Sequence, residues 1–348
     1  MSLFSLNYIT MLPLLFIRKF IMSVSSNHLT IKDIAKLSGV SKSTVSRVIN
    51  HDPMVKESTR NKVMAIIEQY QFTPSKSARA MRGYGNKVIG IIVTRLDSMS
   101  ENQAVRCMLP IFYEHDYDPI IMESQFKVEK VQEHLSMLKE KQADGVVIFA
   151  FTGLDNNVLS FWQNKSVIMA RSYPDYNCVC YDDIGAVTQL LHHLHLTKKH
   201  QKIAYIGVEE QDQTTGAVRY QAYLAFCQRY NIIPHAYLGK LSFLSGYDLA
   251  PLVLASAPTA IVCATEAIAL GLNKYLYEKQ LNHIVVASVG NSELLNFLFP
   301  QTLFIELGFD KAGTYAANKL IAMLQKVTDF SAIAKTMTIP SQLNHSSS

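Results

Sequence analysis

The sequence predicts an all-α helix-turn-helix headpiece over residues 27–73, followed by an α/β core of two parallel-sheet lobes over residues 87–340. Apolar residues between 29 and 50 recur at the three- and four-residue spacing of short helices. From residue 87 onward, short apolar runs alternate with amphipathic stretches, a pattern typical of parallel sheets covered by helices on both faces. Residues 74–86 are expected to form a hinge helix and linker, and residues 341–348 a tail.

Two short helices joined by a tight turn are predicted in the stretch LTIKDIAKLSGVSKSTVSRVIN. The first helix begins after Thr30, which suits an N-cap with Asp33 three residues later, and it ends at Gly39, which can take a left-handed conformation. Ser41 can then cap the second helix. The predicted apolar faces are Ile31, Ile34, Ala35 and Leu37 on the first helix, and Val45, Val48 and Ile49 on the second.

The polar side of the second helix indicates DNA binding. It presents Lys42, Ser43, Ser46 and Arg47. In a helix-turn-helix, the second helix offers its N-terminal polar residues to base edges in the major groove. An ordinary helical hairpin with a solvated basic face is the alternative, because short look-alikes are common.

The distribution of charge favours the DNA-binding interpretation. Residues 27–86 contain ten Lys+Arg against four Asp+Glu, whereas residues 87–348 have a net charge of −3. A module that contacts phosphates needs positive charge at its own surface. The five cysteines are scattered without a metal-binding or disulfide pattern, so we expect free thiols in a reducing, cytoplasmic compartment.

Residues 1–26 are expected to be an extension outside the native structure. The apolar run 11–21 is interrupted by Arg18 and Lys19, so it is too short to span a membrane. The basic pair also follows the apolar run, which is the wrong order for a signal peptide. We therefore expect translation to begin at Met22.

A third helix is predicted within residues 52–72, with an apolar face formed by Val55, Val63, Ile66, Ile67 and Tyr70. After it, Pro74 and Ser75 can begin a short helix that ends before Gly83. A helix of about two turns is too short to be stable alone in water, so it would become ordered only against another surface. An ordinary interdomain linker is an equally open interpretation.

The core is predicted to hold its ligand site at the carboxyl ends of its strands. The apolar runs are 88–93, 120–122, 145–149, 166–169, 203–207, 260–264 and 285–289, and helical stretches such as 131–141, 186–196 and 217–230 lie between them. Polar residues follow the runs, at the edge where parallel sheets bind ligands. Arg95, Arg171 and Arg219 are among them and would suit an anionic group on a polyhydroxyl ligand.

These motifs resemble the LacI/GalR family of bacterial repressors. The resemblance rests on IKDIAKLSGVSKSTVSRVIN, the hinge that begins at Pro74 and the two lobes, and it covers residues 29–340. It implies a periplasmic-binding-protein-like core. A second set of motifs, SARAMRG, IIVTRLDSMSEN, YDPIIMESQF, CYDD, AYLAFC and ASVGN, is similar to the branch of this family that controls trehalose genes.

The resemblance implies a role for each DNA-binding residue. Lys42 and Ser43 would select the operator and Arg47 would make a shared base contact, while Thr44 and Ser46 would contact the phosphate backbone. In the hinge, Met81 would be inserted into the minor groove of a bent operator, where unstacking is offset by an apolar wedge and added contacts. The implied DNA contacts are Thr30, Lys42, Ser43, Thr44, Ser46, Arg47, Lys76, Ala78, Arg79 and Met81.

The effector implied by the resemblance is trehalose 6-phosphate, bound between the lobes and releasing the repressor from DNA. The implied pocket consists of Arg95, Leu96, Asp97, Ser98, Met99, Ser100, Glu101, Ala150, Arg171, Asp212, Gln213, Thr214, Thr215, Arg219, Thr265, Glu266 and Phe309. Phe309 departs from the family pattern, because the expected Asp-Pro-Gly-Tyr-like turn reads Glu-Leu-Gly-Phe. The change removes one hydroxyl that could bind the ligand.

A homodimer is expected, since residues 332–348 contain no leucine heptad of the kind that joins dimers into tetramers. A regulator of another sugar and a sugar-binding protein without a regulatory role are the alternatives. We expect no enzyme, because the Gly-rich phosphate loop, GxSxG and HExxH patterns do not occur. No metal site or cofactor is expected, and His192, His193 and His195 are interpreted as a solvated helix end.

Overall fold

The computed structural model describes residues 29–49, 52–70, 72, 87–326 and 335–344. The described residues fall into two compact units, separated between residues 84 and 85 of the chain. The predictions for residues 1–26 and for the hinge residues Lys76, Ala78, Arg79 and Met81 lie outside the described residues.

The headpiece consists of three helices, in agreement with the sequence. They are α1 (Ile31–Ser38), α2 (Lys42–Ile49) and α3 (Glu57–Gln69). Ile34, Val45, Val48 and Val63 are fully buried between them. Each helix is too short to be stable alone, so this shared apolar core is what holds the unit together.

The turn between α1 and α2 has the predicted geometry. The Asp33 carboxylate accepts hydrogen bonds from the backbone N–H of Thr30 at 2.9 Å and from its hydroxyl at 2.6 Å. Gly39 ends α1 with φ 65°, and the Ser41 hydroxyl accepts from the backbone N–H of Thr44 at 3.1 Å. Satisfied helix termini of this kind fix where each helix begins and ends.

The apolar faces were predicted incorrectly at two positions. Leu37 is 44% exposed, and Ser38 is buried in its place, with its hydroxyl donating to the Ile34 carbonyl at 2.6 Å. Position 38 continues the helix face that begins at Ile31 and Ile34, whereas position 37 falls outside it. Tyr70, at the end of α3, is also largely exposed.

The core contains two six-stranded sheets. Its strands in chain order are β1 (Val88–Val93), β2 (Asp118–Glu123), β3 (Gly145–Phe149), β4 (Ser166–Met169), β5 (Asn177–Tyr181), β6 (Ile203–Val208), β7 (Ala236–Gly239), β8 (Ala260–Cys263), β9 (Val285–Val289), β10 (Leu303–Glu306), β11 (Thr336–Ile339) and β12 (Gln342–Asn344). Lobe 1 has the order β11-β5-β4-β3-β1-β2, and lobe 2 has the order β12-β10-β9-β8-β6-β7. All described pairs are parallel except β10 with β12.

Helices cover both sheets. They are α4 (Met99–Glu114), α5 (Val128–Glu140), α6 (Asn156–Leu159), α7 (Asp183–His192), α8 (Arg219–Tyr230), α9 (Phe243–Asp248), α10 (Ala250–Leu254), α11 (Glu266–Glu278), α12 (Glu293–Leu298) and α13 (Phe309–Leu324). A 3₁₀ turn spans Ser160–Lys165, and π-helical turns span His193–Thr197 and Gln213–Val218. Among the described helices, none is long and apolar enough to cross a membrane.

The two lobes are not consecutive blocks of sequence. The chain passes from lobe 1 to lobe 2 after β5, returns after β10 through α13, and crosses again between β11 and β12. Helix α13 packs on α4, where Gly313 lies against the Ala104 backbone and leaves no room for a side chain. Residues 342–344, within the predicted tail, form the edge strand β12, because Leu343 packs against the core of lobe 2.

Candidate functional site

The polar face of α2 is exposed, as a DNA-contacting surface requires. Lys42, Ser43 and Arg47 lie in the solvent-accessible part of this helix. The Arg47 side chain is 66% exposed, and its Nε lies 3.8 Å from the Asp52 carboxylate. An exposed ion pair at this distance contributes little stability, so the guanidinium is free to exchange Asp52 for another acceptor.

The hydroxyl groups at the start of α2 bind one another. The Ser41 hydroxyl lies 2.7 Å from that of Ser43 and 2.8 Å from that of Thr44. Ser46 is half-buried one turn further along the helix. Thr30 is engaged with Asp33 at the start of α1, so in this structure its hydroxyl serves the helix terminus.

The core contains a polar cavity between its lobes, at the carboxyl ends of the strands. Of the residues predicted to bind the effector, those that line it are Arg95, Ser98, Ser100, Glu101, Ala150, Asp212, Thr214, Thr215, Arg219, Thr265, Glu266 and Phe309. They come from loops of both lobes, up to more than 200 positions apart in the sequence. Because every parallel strand ends at the same edge of its sheet, two facing sheets bring these loops together.

Helix N-termini surround this cavity. The first turns of α4, α7, α11 and α13 contribute Glu101, Asp183, Glu266 and Phe309 to its wall. A helix N-terminus carries partial positive charge, which stabilises a carboxylate in the first turn and also attracts a bound anion. The positive ends of these helices therefore stabilise the carboxylates already in the wall, and they favour the binding of an anionic ligand as well.

Arg219 is held by a buried ion pair. Its Nε and Nη2 atoms both lie 2.7 Å from Oδ1 of Asp183, and Nη1 donates to the Ala264 carbonyl. Both side chains are almost completely buried. Burial raises the pKa of the Asp183 carboxyl, and the neighbouring guanidinium opposes that rise. Arg219 reaches the cavity as one half of this pair and not as a free cation.

Two buried glutamates form part of the wall. Glu101 accepts hydrogen bonds from the backbone N–H of Thr94 at 2.8 Å and from its hydroxyl. Burial raises the pKa of the Glu101 carboxyl, and these hydrogen bonds oppose the rise. Burial also raises the pKa of Glu266, whose carboxylate lies beside Gly290. Both groups accept protons more readily than a solvated glutamate does.

Two arginines join the lobes directly. Arg95 donates from Nη1 to the Leu241 carbonyl at 3.0 Å. Arg171 donates from Nη1 to the hydroxyls of Thr152 and Thr214, each at 3.2 Å, and from Nη2 to the Gln213 amide oxygen at 3.3 Å. Since Thr152 belongs to lobe 1 and Gln213 and Thr214 to lobe 2, these contacts hold the lobes together in the described conformation.

Five predicted residues lie outside the cavity wall. Leu96 and Asp97 point largely into solvent after β1, and Met99 lines a neighbouring depression. Arg171 and Gln213 line a shallow pocket beside the cavity. The loop after β1 turns outward before Ser98 caps α4, so neighbouring residues of one motif lie partly in the cavity wall and partly at the surface.

The cavity also contains residues that sequence reasoning missed. They are Thr94, Phe126, Phe149, Phe151, Ala170, Tyr181, Asp183, Leu241 and Ala267. Tyr181 and Asp183 belong to the quoted motif CYDD, so their position at the end of β5 was the available signal. The rings of Tyr181 and Phe309 lie edge to face, with centroids 5.0 Å apart. Phe309 thus packs in the wall in an apolar contact.

The predicted solvated histidine cluster packs instead against aromatic rings. The rings of His192 and His195 lie 5.0–5.8 Å from those of Phe226 and Tyr230. His192 and His195 are three residues apart and so lie on one side of the helix, facing Phe226 and Tyr230 of α8. Within the described ranges, no group of three or more His, Cys, Asp or Glu residues is arranged to hold a metal ion.

Comparison with known proteins places this arrangement in a family. Residues 30–75 match the model of the bacterial regulatory proteins of the lacI family, and residues 168–343 match that of the periplasmic binding protein-like domain. The transcriptional regulator TreR of Escherichia coli K12 is 49% identical over 298 residues, which cover 86% of this chain and 94% of that protein. The chain belongs to the LacI family of bacterial regulatory proteins.

Solved structures agree with the LacI-family assignment. The trehalose repressor from Escherichia coli superimposes with a TM-score of 0.71 and 44% identity, over 74% of this chain and 99% of that one. The Lac repressor dimer bound to operator and the anti-inducer ONPF gives a TM-score of 0.79 at 22% identity, over 91% and 98% of the two chains. The second comparison shows the shared fold: a helix-turn-helix unit and a two-lobed α/β core.

Proposed function

We propose that this LacI-family protein represses genes for trehalose uptake and utilisation, and that trehalose 6-phosphate releases it from its operator. The observation that carries the proposal is the identity of 49% with the regulator TreR over 94% of that protein. The match extends through both the headpiece and the two lobes. It therefore supports both DNA binding and effector binding, and not the fold alone.

The headpiece supports the DNA-binding half of the proposal. Lys42, Ser43 and Arg47 are exposed on one helix, and the Ser41–Ser43–Thr44 hydroxyls stand at its N-terminus. A recognition helix uses its N-terminal polar side chains on base edges and neighbouring hydroxyls on phosphates. In this proposal Lys42 and Ser43 select the operator, and Arg47 provides a contact shared between sites.

The cavity supports the effector half. Its polar wall combines carboxylates, hydroxyls and arginines with aromatic rings, the mixture that suits a sugar bearing an anionic group. A ligand that fills it competes with the cross-lobe bonds of Arg95, because the same guanidinium would turn toward the ligand. The relative position of the lobes then depends on the ligand, and DNA affinity changes by the coupling free energy.

Dimerisation is the third part of the proposal. Phe243 and Leu244 on α9, Tyr277 on α11 and Phe297 on α12 are exposed, and Phe297 is 83% accessible. These helices are neighbours, since α11 packs on both α9 and α12. Exposed apolar side chains on neighbouring helices of one lobe suit a protein interface, and self-association through these helices gives two-fold symmetry. Phe297→Arg is expected to lower the molar mass measured by sedimentation.

The hinge completes the proposal as a prediction from sequence. Met81→Ala is expected to weaken operator binding, because the apolar wedge is lost, while leaving effector binding unchanged. Operator affinity equal to that of the unsubstituted protein would eliminate the wedge role.

A gel-shift titration tests operator, ligand and direction of response together. The DNA is the region upstream of the trehalose uptake and utilisation genes of the same genome, with an unrelated fragment of equal length as the control. We expect a specific complex that dissociates on addition of trehalose 6-phosphate and persists with sucrose 6-phosphate. A complex that is released only by another sugar phosphate would favour the alternative of a regulator for a different sugar.

A further inference from the structure

Phe126 occupies an unusual position at the rim of the effector cavity. It lines the cavity wall, and yet the residue is 42% exposed. Its ring packs edge to face on the buried ring of Phe151, with centroids 5.8 Å apart and an interplanar angle of 82°. An edge-to-face contact covers only part of a ring, and the exposure of the residue shows that part of the Phe126 ring remains accessible at the opening.

The backbone holds Phe126 in this position at some conformational cost. Gln125 and Phe126 have φ values of 54° and 56°, the only consecutive left-handed pair of non-glycine residues in the described part of the chain. This conformation is disfavoured for residues that carry a Cβ atom. The turn is nevertheless fixed to the end of β1, because the N–H groups of Ser124 and Gln125 each donate at 2.9 Å to carbonyls of Val93 and Thr94. Strained backbone that is held so firmly beside a cavity is typical of a binding site.

Neighbouring groups determine what this ring can bind. The Arg95 guanidinium carbon lies 6.0 Å from the centroid of the Phe126 ring, and Arg95 also donates to the Leu241 carbonyl of the opposite lobe. Phe126, Arg95 and Leu241 therefore surround one end of the cavity with an aromatic face, a cation and an aliphatic side chain. The ring faces of a pyranose are largely C–H groups, which pack well on aromatic and aliphatic surfaces, while its hydroxyls need the polar wall beyond.

We propose that Phe126 is a specificity-determining residue of the effector site, whose exposed ring surface packs on the C–H face of one pyranose ring of the effector. This assignment rests on the proposed function in one respect, the sugar nature of the ligand. The strained turn holds the ring at the opening, and the contact with Phe151 sets its plane. The Arg95 guanidinium packs against the same ring. A sugar ring on Phe126 would therefore place its anionic group close to Arg95.

Four variants test the role of the ring: Phe126→Ala, Phe126→Leu, Phe126→Tyr and Phe126→Gly. Trehalose 6-phosphate affinity is measured by titration calorimetry on the full chain, and the unfolding midpoint of each variant is measured in parallel. An aromatic contact of this kind predicts that Phe126→Ala weakens binding about 3- to 10-fold. Phe126→Tyr should stay within about twofold of the unsubstituted protein, and Phe126→Leu should fall between them, because it keeps apolar bulk without the flat face.

Glycine separates binding from folding. Phe126→Gly suits the left-handed backbone, so its unfolding midpoint should not fall below that of Phe126→Ala, although its affinity should be just as low. Phe161→Ala is the matched control, since Phe161 is 52% exposed, lies 4.6 Å from a lysine Nζ and is outside the cavity wall. This control should leave the affinity unchanged.

Each outcome has a distinct meaning. Unchanged affinity in Phe126→Ala, or equal affinity in Phe126→Leu and Phe126→Tyr, overturns the role of the ring face while leaving the proposed function intact. Affinity losses that follow the unfolding midpoints across the variants make Phe126 a structural residue and also overturn it. Failure of the unsubstituted protein to bind trehalose 6-phosphate overturns the proposed effector, and the inference with it.

Discussion

The headpiece exposes its predicted recognition groups, whereas the core buries the charged groups of its candidate cavity. In the headpiece, Lys42 and Arg47 stand on the surface of one short helix, and Arg47 has only a loose partner in Asp52. In the core, Arg219 and Asp183 are nearly inaccessible and bind each other at 2.7 Å. DNA brings its own dense negative charge to an open surface, while a small ligand must be enclosed by a wall that is already satisfied. The difference teaches what an arginine substitution should do in each region. In the headpiece it should weaken binding alone, whereas in the core it should also lower the free energy of unfolding.

The largest effect is expected from Arg219→Ala. Removal of the guanidinium leaves the Asp183 carboxylate buried without its cation, which should cost about 3–5 kcal/mol in the free energy of unfolding of the core. Urea denaturation followed by circular dichroism measures this loss. Arg229→Ala, at the exposed end of the same helix, is the control and should cost about 1 kcal/mol or less. Equal losses in the two variants would contradict the importance of the buried pair.

Arg47→Ala tests the exposed side of the comparison. Loss of a base contact should weaken specific operator binding by about 1–3 kcal/mol, measured by fluorescence anisotropy, and the unfolding midpoint of the protein should not change. Lys36→Ala, exposed on α1, is the control for a general loss of charge.

A swap of Lys42 and Ser43 should change which operator is preferred, and a uniform loss of affinity on all operators would argue against a selective role.

Glu266→Gln tests the buried side of the comparison through the pH dependence of the free energy of unfolding. Burial raises the pKa of Glu266 above that of the unfolded chain, so its contribution to stability is complete below the unfolded pKa and is lost as pH rises through the folded pKa. Glutamine removes this dependence. The variant should therefore gain in free energy of unfolding relative to the unsubstituted protein as the pH rises above the ordinary pKa of a glutamate. A difference that stays constant with pH would show that Glu266 does not titrate in that range.

Arg171→Ala should have the smallest effect on stability, about 1 kcal/mol or less, because its hydrogen bonds to Thr152, Thr214 and Gln213 lie near the surface. Its effect should appear in the effector response, since these bonds join the lobes. Thr152→Val removes one partner of Arg171, and a double variant should lose less than the sum of the two single changes. Strict additivity in the effector response would mean that the pair does not act as a unit.

The headpiece was the region in which sequence predicted most of the detail. Thr30, Gly39 and Ser41 act on residues only a few positions away, so their caps and turn follow from local chemistry. The errors at Leu37 and Tyr70 concern which side of a helix the neighbouring helices cover, and that depends on packing.

The cavity was only partly predictable. Polar residues after apolar strands correctly indicated which loops would form the wall, among them those with Arg95, Glu101 and Thr265. Sequence did not show that Arg219 is paired with a buried carboxylate, because Asp183 is 36 positions away in the chain. It also missed Phe126 and Leu241, since an isolated apolar residue in a loop resembles any other.

The sequence by itself determined the two kinds of domain, the helix termini of the headpiece and the strands of the core that are continuously apolar. Those features arise from interactions within a few residues or from the period of the apolar pattern. The tertiary structure decided that the lobes are interleaved, with β11 in lobe 1 and β12 in lobe 2, and it decided which charges meet in the cavity. Such pairings join residues far apart in the chain, and their partners are set by how the two sheets face each other.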